Sequence, residues 1–243
     1  MVDSWAPELA LSGIVLLGAA VQWLTGMGFA LVAVPALVLL LGPAEGVVLA
    51  NCAAGAISAV GLADGWRRVR LRAMGPLVIA CACTVPAGSW VAARLPEAAL
   101  LSGMGALVTL AVLLVMSGAR VPSLQGGHGA LLAGGLGGFM NSSAGVGGPP
   151  VSLYAVNAGW TASEFVPNAL FYGVVVNMFS VAANGVPHLT AADWLMTVGG
   201  LTVGALAGKA LAARVPDHRA RLLVLWLALA GGLTTMGKGL WGT

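Results

Sequence analysis

Residues 88–96 read GSWVAARLP, and residues 208–216 read GKALAARVP. The two stretches share Gly, Ala-Ala-Arg and Pro in the same order, and they lie 120 positions apart. A match of this kind is the trace of an internal duplication. It predicts a chain built from two copies of one structural unit.

Glycine and asparagine positions elsewhere repeat at nearly the same displacement. The matched pairs are Gly26 with Gly145 and Gly28 with Gly147 at 119, and Gly42 with Gly159 and Asn51 with Asn168 at 117. Because the displacement hardly changes along the chain, the duplication is expected to cover most of its length.

The composition is that of a membrane protein. Of the 243 residues, 59% are hydrophobic and only 8% are charged, whereas soluble domains carry about 25% charged residues. Apolar runs such as 98–117 have the length that spans a bilayer, about 17 to 25 residues. Asp3 and Glu8 flank the first run without any Lys or Arg, which predicts a retained helix rather than a cleaved signal peptide.

The ionisable residues argue against several other function classes. The basic residues lie in short loops rather than on one surface, so no nucleic-acid partner is expected. Cys81 and Cys83 are two positions apart and would point to different faces of a helix. With no His, Cys and carboxylate cluster of ligand spacing and no nucleophile–base pair, we expect neither a metal nor a cofactor, and not an enzyme.

Each half of the chain divides into five apolar segments bounded by Gly, Pro or charged residues. They cover about 8–24, 29–41, 46–63, 73–93 and 98–117 in the first half, and about 128–143, 149–159, 165–184, 192–213 and 221–240 in the second. This pattern predicts an all-α polytopic membrane protein with one transmembrane domain over residues 1–243. Repeat one would cover about 8–117 and repeat two about 128–240.

The second segment of each half is short for a full span at 1.5 Å of rise per residue. The first segments are therefore expected to be broken or re-entrant, which a membrane tolerates only where protein or a water cavity surrounds the backbone. On this basis the chain has 8 to 10 membrane segments.

The basic residues predict how the two repeats are related. If the second repeat is inverted, nine of the eleven Lys and Arg residues lie inside, and only Arg94 and Lys238 lie outside. A parallel arrangement with the Arg67–Arg72 loop inside would give a split of six to five. The positive-inside rule favours the inverted model, which places both termini outside.

Inverted repeats would bring the two glycine breaks together near the bilayer midplane. Glycines leave main-chain N–H groups accessible, and the helix that follows directs about half a positive charge at the gap. Amides at a helix start can bind an anion without a cationic side chain. Lys209 is the only Lys or Arg well inside a predicted span, and it is expected to snorkel to the interface.

The candidate substrate-binding residues lie in the two breaks and at polar positions of the third segments. They are Gln22, Thr25, Gly26, Gly28, Asn141, Ser142, Ser143, Gly145, Gly147, Gly148 and Pro149 in the breaks, and Asn51, Asn168 and Tyr172 outside them. Asn51 and Asn168 either line the site or tie helices together. Gly and Ser also serve close helix packing in membranes, which is the alternative interpretation of the breaks.

The pattern S-x-x-G-x-G-G-P, here Ser142 to Pro149, resembles the signature of the TauE/SafE family of sulfite exporters and organosulfonate permeases. The stretches at 88–96 and 208–216 also look typical of that family, and the similarity spans both repeats. The resemblance implies a bacterial inner-membrane transporter of sulfite, sulfoacetate or related anions, with glycine loops that line the pathway. These are Gly26, Gly28, Gly145, Gly147 and Gly148. The first loop is poorer in glycine and lacks an adjacent proline, so residues 141–150 are expected to be the better anion cradle.

The sequence thus predicts a multi-pass cell membrane protein that exports small sulfur-containing anions. An anion channel, a permease for carboxylates or other inorganic anions, and a non-transport membrane scaffold are the alternatives. The expected partners are the anion and the lipid bilayer, and the sequence leaves a homo-oligomer open.

Overall fold

The computed structural model describes residues 6–117, 124–212, 214 and 217–241. Arg120 and the last two residues of the second nine-residue stretch, Val215 and Pro216, lie outside the described residues. The side chains of Arg219 and Arg221, which the inverted model places inside, are likewise not described.

The described chain is all-helical, as predicted. The helices are α1 (Ala6–Thr25), α2 (Phe29–Leu41), α3 (Pro43–Leu62), α4 (Leu71–Ala92), α5 (Glu97–Met116), α6 (Gly126–Ala144), α7 (Gly148–Asn157), α8 (Ala162–Asn184), α9 (Ala191–Ala212) and α10 (Asp217–Trp241), with a 3-10 turn at Trp66–Arg68. Each helix coincides with one of the ten apolar segments. The class of polytopic membrane protein is therefore confirmed.

Seven of these helices are long and apolar enough to cross a membrane. Helices α2 and α7 fall short because they have only 13 and 10 residues. Helix α6 has 19 residues, but seven of them are glycine, which lowers its hydropathy. The three helices outside the set of seven, α2, α6 and α7, each border a glycine break.

The principal helix pairings join one repeat to the other. Helix α1 packs on α9, α6 on α4, α3 on α8, and α5 on α10. If each helix is replaced by its copy in the other half, α1 by α6 and α4 by α9, the α1–α9 pairing becomes the α6–α4 pairing. The α3–α8 and α5–α10 pairings are unchanged by this exchange. The packing therefore has the symmetry expected of a duplicated chain.

Matched helices run antiparallel to each other. Along the α3–α8 contact, Gly55 lies beside Asn177 and Gly61 beside Leu170. Along α5–α10, Gly105 lies beside Gly232 and Met236, whereas Gly239 lies beside residues 98 and 102. Antiparallel packing of each helix with its own copy is the arrangement expected of inverted repeats.

The glycine that opens each copy of the nine-residue stretch explains why the stretch is repeated. A Cβ at Gly88 on α4 would overlap the Phe139 carbonyl of α6, and a Cβ at Gly208 on α9 would approach the Ala20 carbonyl of α1 to 2.7 Å. Small residues at such positions let membrane helices pack backbone against backbone. Each copy thereby fixes the helix that leads into a glycine break.

Candidate functional site

The two breaks have the same backbone geometry. Helix α1 ends at Thr25 and is followed by Gly26 with φ of +73°, while α6 ends at Ala144 and is followed by Gly145 with φ of +72°. Side chains rarely adopt this left-handed conformation, so glycine is needed to end each helix here. After each break of three residues, a second and shorter helix begins, α2 at Phe29 and α7 at Gly148.

At the first break, the side chain of Gln22 caps the new helix. Its Oε1 accepts hydrogen bonds from the N–H groups of Gly28 at 2.8 Å and Phe29 at 3.0 Å. Its Nε2 donates to Ser58 Oγ of α3 at 3.1 Å. One buried side chain therefore links the end of α1, the start of α2 and the middle of the α3–α8 contact.

Asn141 has the same function at the second break, 119 positions later. Its Oδ1 accepts from the N–H of Gly147 at 3.1 Å. Its Nδ2 lies within hydrogen-bond distance of Asn177 Oδ1 at 3.1 Å, Ser180 Oγ at 2.9 Å and Asn51 Oδ1 at 3.2 Å. Ser58 and Asn177 are also 119 positions apart, so we call residues at this displacement counterparts.

These caps correct the expectation that the glycine amides are bare. The N–H groups of Gly28, Phe29 and Gly147 are bonded to side chains, which satisfies part of the donors that a buried helix start leaves without intrahelical partners. At the start of α2, the N–H groups of Ala30 and Leu31 have no acceptor among the described residues.

The distribution of main-chain donors differs between the two breaks. Helix α7 carries Pro149 and Pro150 in its first turn, and proline has no N–H. The first turn of α7 therefore has fewer main-chain donors than the first turn of α2, and the ranking of the two breaks as anion cradles stays a prediction.

One cavity of about 530 Å³ is bordered by both breaks. Of the candidate residues, those that line it are Gln22, Thr25, Gly26, Gly28, Asn141, Gly147, Gly148, Pro149 and Tyr172. The breaks also touch each other directly, because Met27 of the first lies against Ser152 of α7, with Oγ and Sδ 3.5 Å apart. The structure thus brings the two breaks together around a shared space.

Three candidates of the second break lie outside this lining. The hydroxyl of Ser142 bonds the carbonyl of Gly138, and that of Ser143 bonds the carbonyl of Phe139, both within α6. Such back-bonding leaves the hydroxyl occupied by its own helix. Gly145 packs against Val34 of α2 instead.

Asn51 and Asn168 do not occupy equivalent places, which corrects their pairing at 117. Asn51 contacts Asn141 in the buried network. Asn168 lies near the start of α8, where its Oδ1 accepts from the N–H of Arg70 at 2.9 Å and its Nδ2 donates to the Glu164 carbonyl at 2.7 Å. Helix α7 is three residues shorter than α2, but the connection after α7 is longer than the connection after α2. The starts of α3 and α8, Pro43 and Ala162, are therefore again 119 positions apart, and the displacement of 117 does not apply within these two helices.

Tyr172 is one of the lining residues, and its hydroxyl donates to the Gly134 carbonyl of α6 at 3.2 Å. The residue is 1% exposed. A phenol that already donates to a carbonyl positions α8 against α6 and has no second proton for a ligand.

Two polar contacts at the helix ends involve counterpart glutamates. Arg70 bonds Glu164 at 2.9 Å, and His188 lies 3.1 Å from Glu45. Glu45 and Glu164 are 119 positions apart, and each pair joins a residue of one repeat to a residue of the other. Both pairs are partly exposed, so each contributes little to stability.

The surroundings of the two breaks are not equally open. Val166, which contacts the first break at Gly26, is 37% exposed, whereas its counterpart Val47, which contacts the second break at Gly145, is 4% exposed. Val146, the counterpart of Met27, is fully buried. The shared cavity is therefore more open beside Gly26 than beside Gly145, although Gly147, Gly148 and Pro149 of the second break also line it.

Several lining residues were not predicted from the sequence. Ser58 and Asn177 could have been found, because both are polar residues inside predicted spans at the displacement of 119. Trp23 and Phe165 gave no such signal, since apolar residues fill every span, and Trp160 lies outside the predicted spans, in the connection after α7. Among the described residues, no group of three His, Cys, Asp or Glu side chains is placed to hold a metal ion.

A family model described as sulfite exporter TauE/SafE matches residues 11–235, which includes both breaks and nearly all of the helical chain. The chain belongs to the TauE/SafE family. No curated protein and no solved structure matches it. Membership in the TauE/SafE family implies a multi-pass membrane transporter of sulfite or related sulfur-containing anions, acting on a small anionic substrate within a lipid bilayer.

Proposed function

We propose that this TauE/SafE protein exports small sulfur-containing anions, such as sulfite or organosulfonates, through the cavity shared by its two breaks. The observation that carries the proposal is the meeting of two counterpart breaks around one cavity. Inverted repeats with discontinuous helices place substrate sites at such a junction. The family supplies the class of substrate.

Neutral groups would bind the anion. Ser58 and Asn177 are polar residues of the lining, and Ala30 and Leu31 provide main-chain donors at the start of α2. Gln22 and Asn141 hold these groups in place through their own hydrogen bonds. Helix α2 adds its positive dipole end at the same place. Binding without an ion pair suits turnover, because the substrate must leave the site as readily as it enters.

The unequal openness of the two breaks supports alternating access. In the proposed cycle, the space beside Gly26 and Val166 closes while the counterpart space beside Gly145 and Val47 opens. Because the repeats are inverted copies, the second repeat would adopt in one state the packing that the first repeat has in the other state. An anion that leaves a negative-inside cell gains roughly 2.3 kcal/mol per charge at 100 mV, so export does not require a coupling ion.

We further propose an inner (cell) membrane location with both termini outside, which places the cavity on the cytoplasmic side. A variant without native cysteines would carry a single cysteine as Arg68→Cys or as Val186→Cys, both at exposed positions. In intact cells, Val186→Cys is expected to react with an impermeant maleimide and Arg68→Cys only after permeabilisation. Reaction of Arg68→Cys in intact cells would contradict this orientation.

The direct test of the function is flux in proteoliposomes. We expect labelled sulfite and sulfonates to move faster than sulfate or carboxylates, with and without a pH gradient. Ala30→Trp, which fills the cavity, should reduce this flux at least tenfold, whereas Ala36→Trp in the same helix but outside the lining should retain it.

The same experiment separates the alternatives. Faster movement of carboxylates would indicate a permease for other anions, and continuous single-channel current at a fixed anion gradient would indicate a channel. Absence of anion-selective flux in correctly oriented vesicles would overturn the transport proposal and favour a scaffold.

A further inference from the structure

The exposed part of the cavity lining lies at the end of α7 and the start of α8. Among the described lining residues, the exposed ones are Val156, Ala162 and Val166, and the others are buried or half-buried. We call this exposed edge the mouth of the cavity. An anion that enters the cavity from the surface therefore passes the first two turns of α8.

The connection between α3 and α4 is fastened to these same turns. A Cβ at Gly65 would lie 3.6 Å from the Cβ of Pro167. The N–H of Arg70 donates to Asn168 Oδ1 at 2.9 Å, and the Arg70 guanidinium bonds Glu164 at 2.9 Å. Because both ends of the connection are held and a 3-10 turn spans the residues between them, the whole segment lies beside the mouth.

Three arginines of this segment and of the first turn of α4 have no acidic partner among the described residues. They are Arg67, Arg68 and Arg72, and all three are exposed. Arg70 differs from them because Glu164 balances its charge. Even when Asp64 and Glu164 are both counted, four positive charges face two negative ones. The surface beside the mouth is therefore positive.

The counterpart connection, between α8 and α9, shows that the fold does not need these arginines. The counterparts of the three are Val186, Pro187 and Ala191, which are uncharged. Membrane orientation does not need them either, because six basic residues would remain inside in the inverted model against two outside. The three charges thus call for a different explanation.

The cavity itself cannot attract an anion over a distance. Its described lining contains no Lys, Arg or His, and amide or hydroxyl dipoles act only at contact. A positive surface at the entrance of a cleft raises the local concentration of anions and the rate at which they enter. Since exposed arginines stay hydrated, an anion would be bound there weakly and released quickly, as a site on an entry path requires.

We propose that Arg67, Arg68 and Arg72 form an anion-binding site outside the cavity, which collects the substrate from the cytoplasm and passes it to the mouth. The ligand is a small free anion, recognised by its charge, and the selection among anions is left to the cavity. This inference rests on the proposed transport function and orientation, and it adds a second site to the one at the glycine breaks.

The test measures uptake of labelled sulfite into inverted membrane vesicles, whose cytoplasmic face is outside. Combined Arg67→Gln, Arg68→Gln and Arg72→Gln should raise the KM for sulfite about tenfold at 0.01 M salt and leave the maximal flux unchanged. At 1 M potassium chloride the difference should fall below twofold, because the screening length shortens from about 30 Å to about 3 Å. The three Arg→Lys changes should keep the wild-type KM, since they keep the charge.

Arg94→Gln is the matched control. Arg94 follows the opposite end of α4, and its guanidinium lies 4.0 Å from the centroid of the Trp90 ring. Its removal should leave the KM unchanged. Right-side-out vesicles give a second control, because there the triple Gln variant should take up sulfite with the wild-type KM. Vesicles from cells that lack the protein give the baseline.

The outcomes separate this inference from the transport proposal. An equal KM in the wild type and the triple Gln variant at 0.01 M salt, or the same rise in right-side-out vesicles, would overturn the inference and leave transport intact. An unchanged KM together with lost thermal stabilisation by phosphatidylglycerol would also overturn it and assign the arginines to lipid headgroups. Absence of flux in the wild type would instead refute the transport proposal.

Discussion

Replacement of Asn141 by alanine is expected to reduce anion flux at least tenfold and to lower the thermal stability of the purified protein. The side chain caps α7 and bonds Asn51, Asn177 and Ser180 across two other helices. Loss of a cap costs about 1 kcal/mol, and each buried polar group left unpaired costs about 1 to 3 kcal/mol. Flux assays and thermal unfolding in detergent measure the two effects.

Ser143→Ala is the matched control for Asn141→Ala. Ser143 is two residues away on the same helix and equally buried, but its hydroxyl bonds only the Phe139 carbonyl of α6. We expect this variant to change flux by less than twofold. Equal flux in the wild type and Asn141→Ala would show that the capped break does not take part in transport.

Gly204→Leu is expected to prevent folding. A Cβ at Gly204 on α9 would overlap the Leu16 carbonyl of α1 and lie 2.8 Å from the Ala19 Cβ. Because this overlap involves backbone, side-chain rotation cannot relieve it, and the α1–α9 pairing must separate. Overexpression followed by size-exclusion chromatography should give aggregate in place of a single peak.

Gly199→Leu supplies the comparison on the same helix. No heavy atom lies within 4 Å of a Cβ at Gly199, so a leucine there faces open space and adds apolar surface suited to lipid. This variant should elute as the wild type does. A monodisperse, active Gly204→Leu protein would refute the close α1–α9 packing.

The sequence was sufficient to predict the helices because hydrophobic runs and Gly/Pro boundaries are local features. The ten segments coincide with α1 to α10, and the glycine breaks at Gly26 and Gly145 are present. The symmetric helix pairing also follows from the duplication. The helices, the glycine breaks and the helix pairing can all be predicted without knowing which side chains contact each other.

The details of the site depend on contacts between distant residues, and there the sequence was a poorer guide. Gln22 and Asn141 were expected to face a ligand together with bare amides, but both side chains occupy those amides. Asn168 was paired with Asn51, although the connection after α7 shifts the register and places it beside Arg70. Aromatic residues within spans, such as Trp23 and Phe165, could not be distinguished from ordinary membrane-facing side chains.

The principal pairings α1–α9, α4–α6, α3–α8 and α5–α10 all cross between repeats, so neither half has a complete set of neighbours of its own. A single ancestral copy of about 120 residues would have needed a second copy inserted in the opposite direction to bury the same surfaces. Such a protein would have been an antiparallel dimer of identical chains with dual topology. Gene fusion would then have ensured a partner for every copy and allowed the two halves to diverge, as the proline-rich α7 and the longer α2 have done.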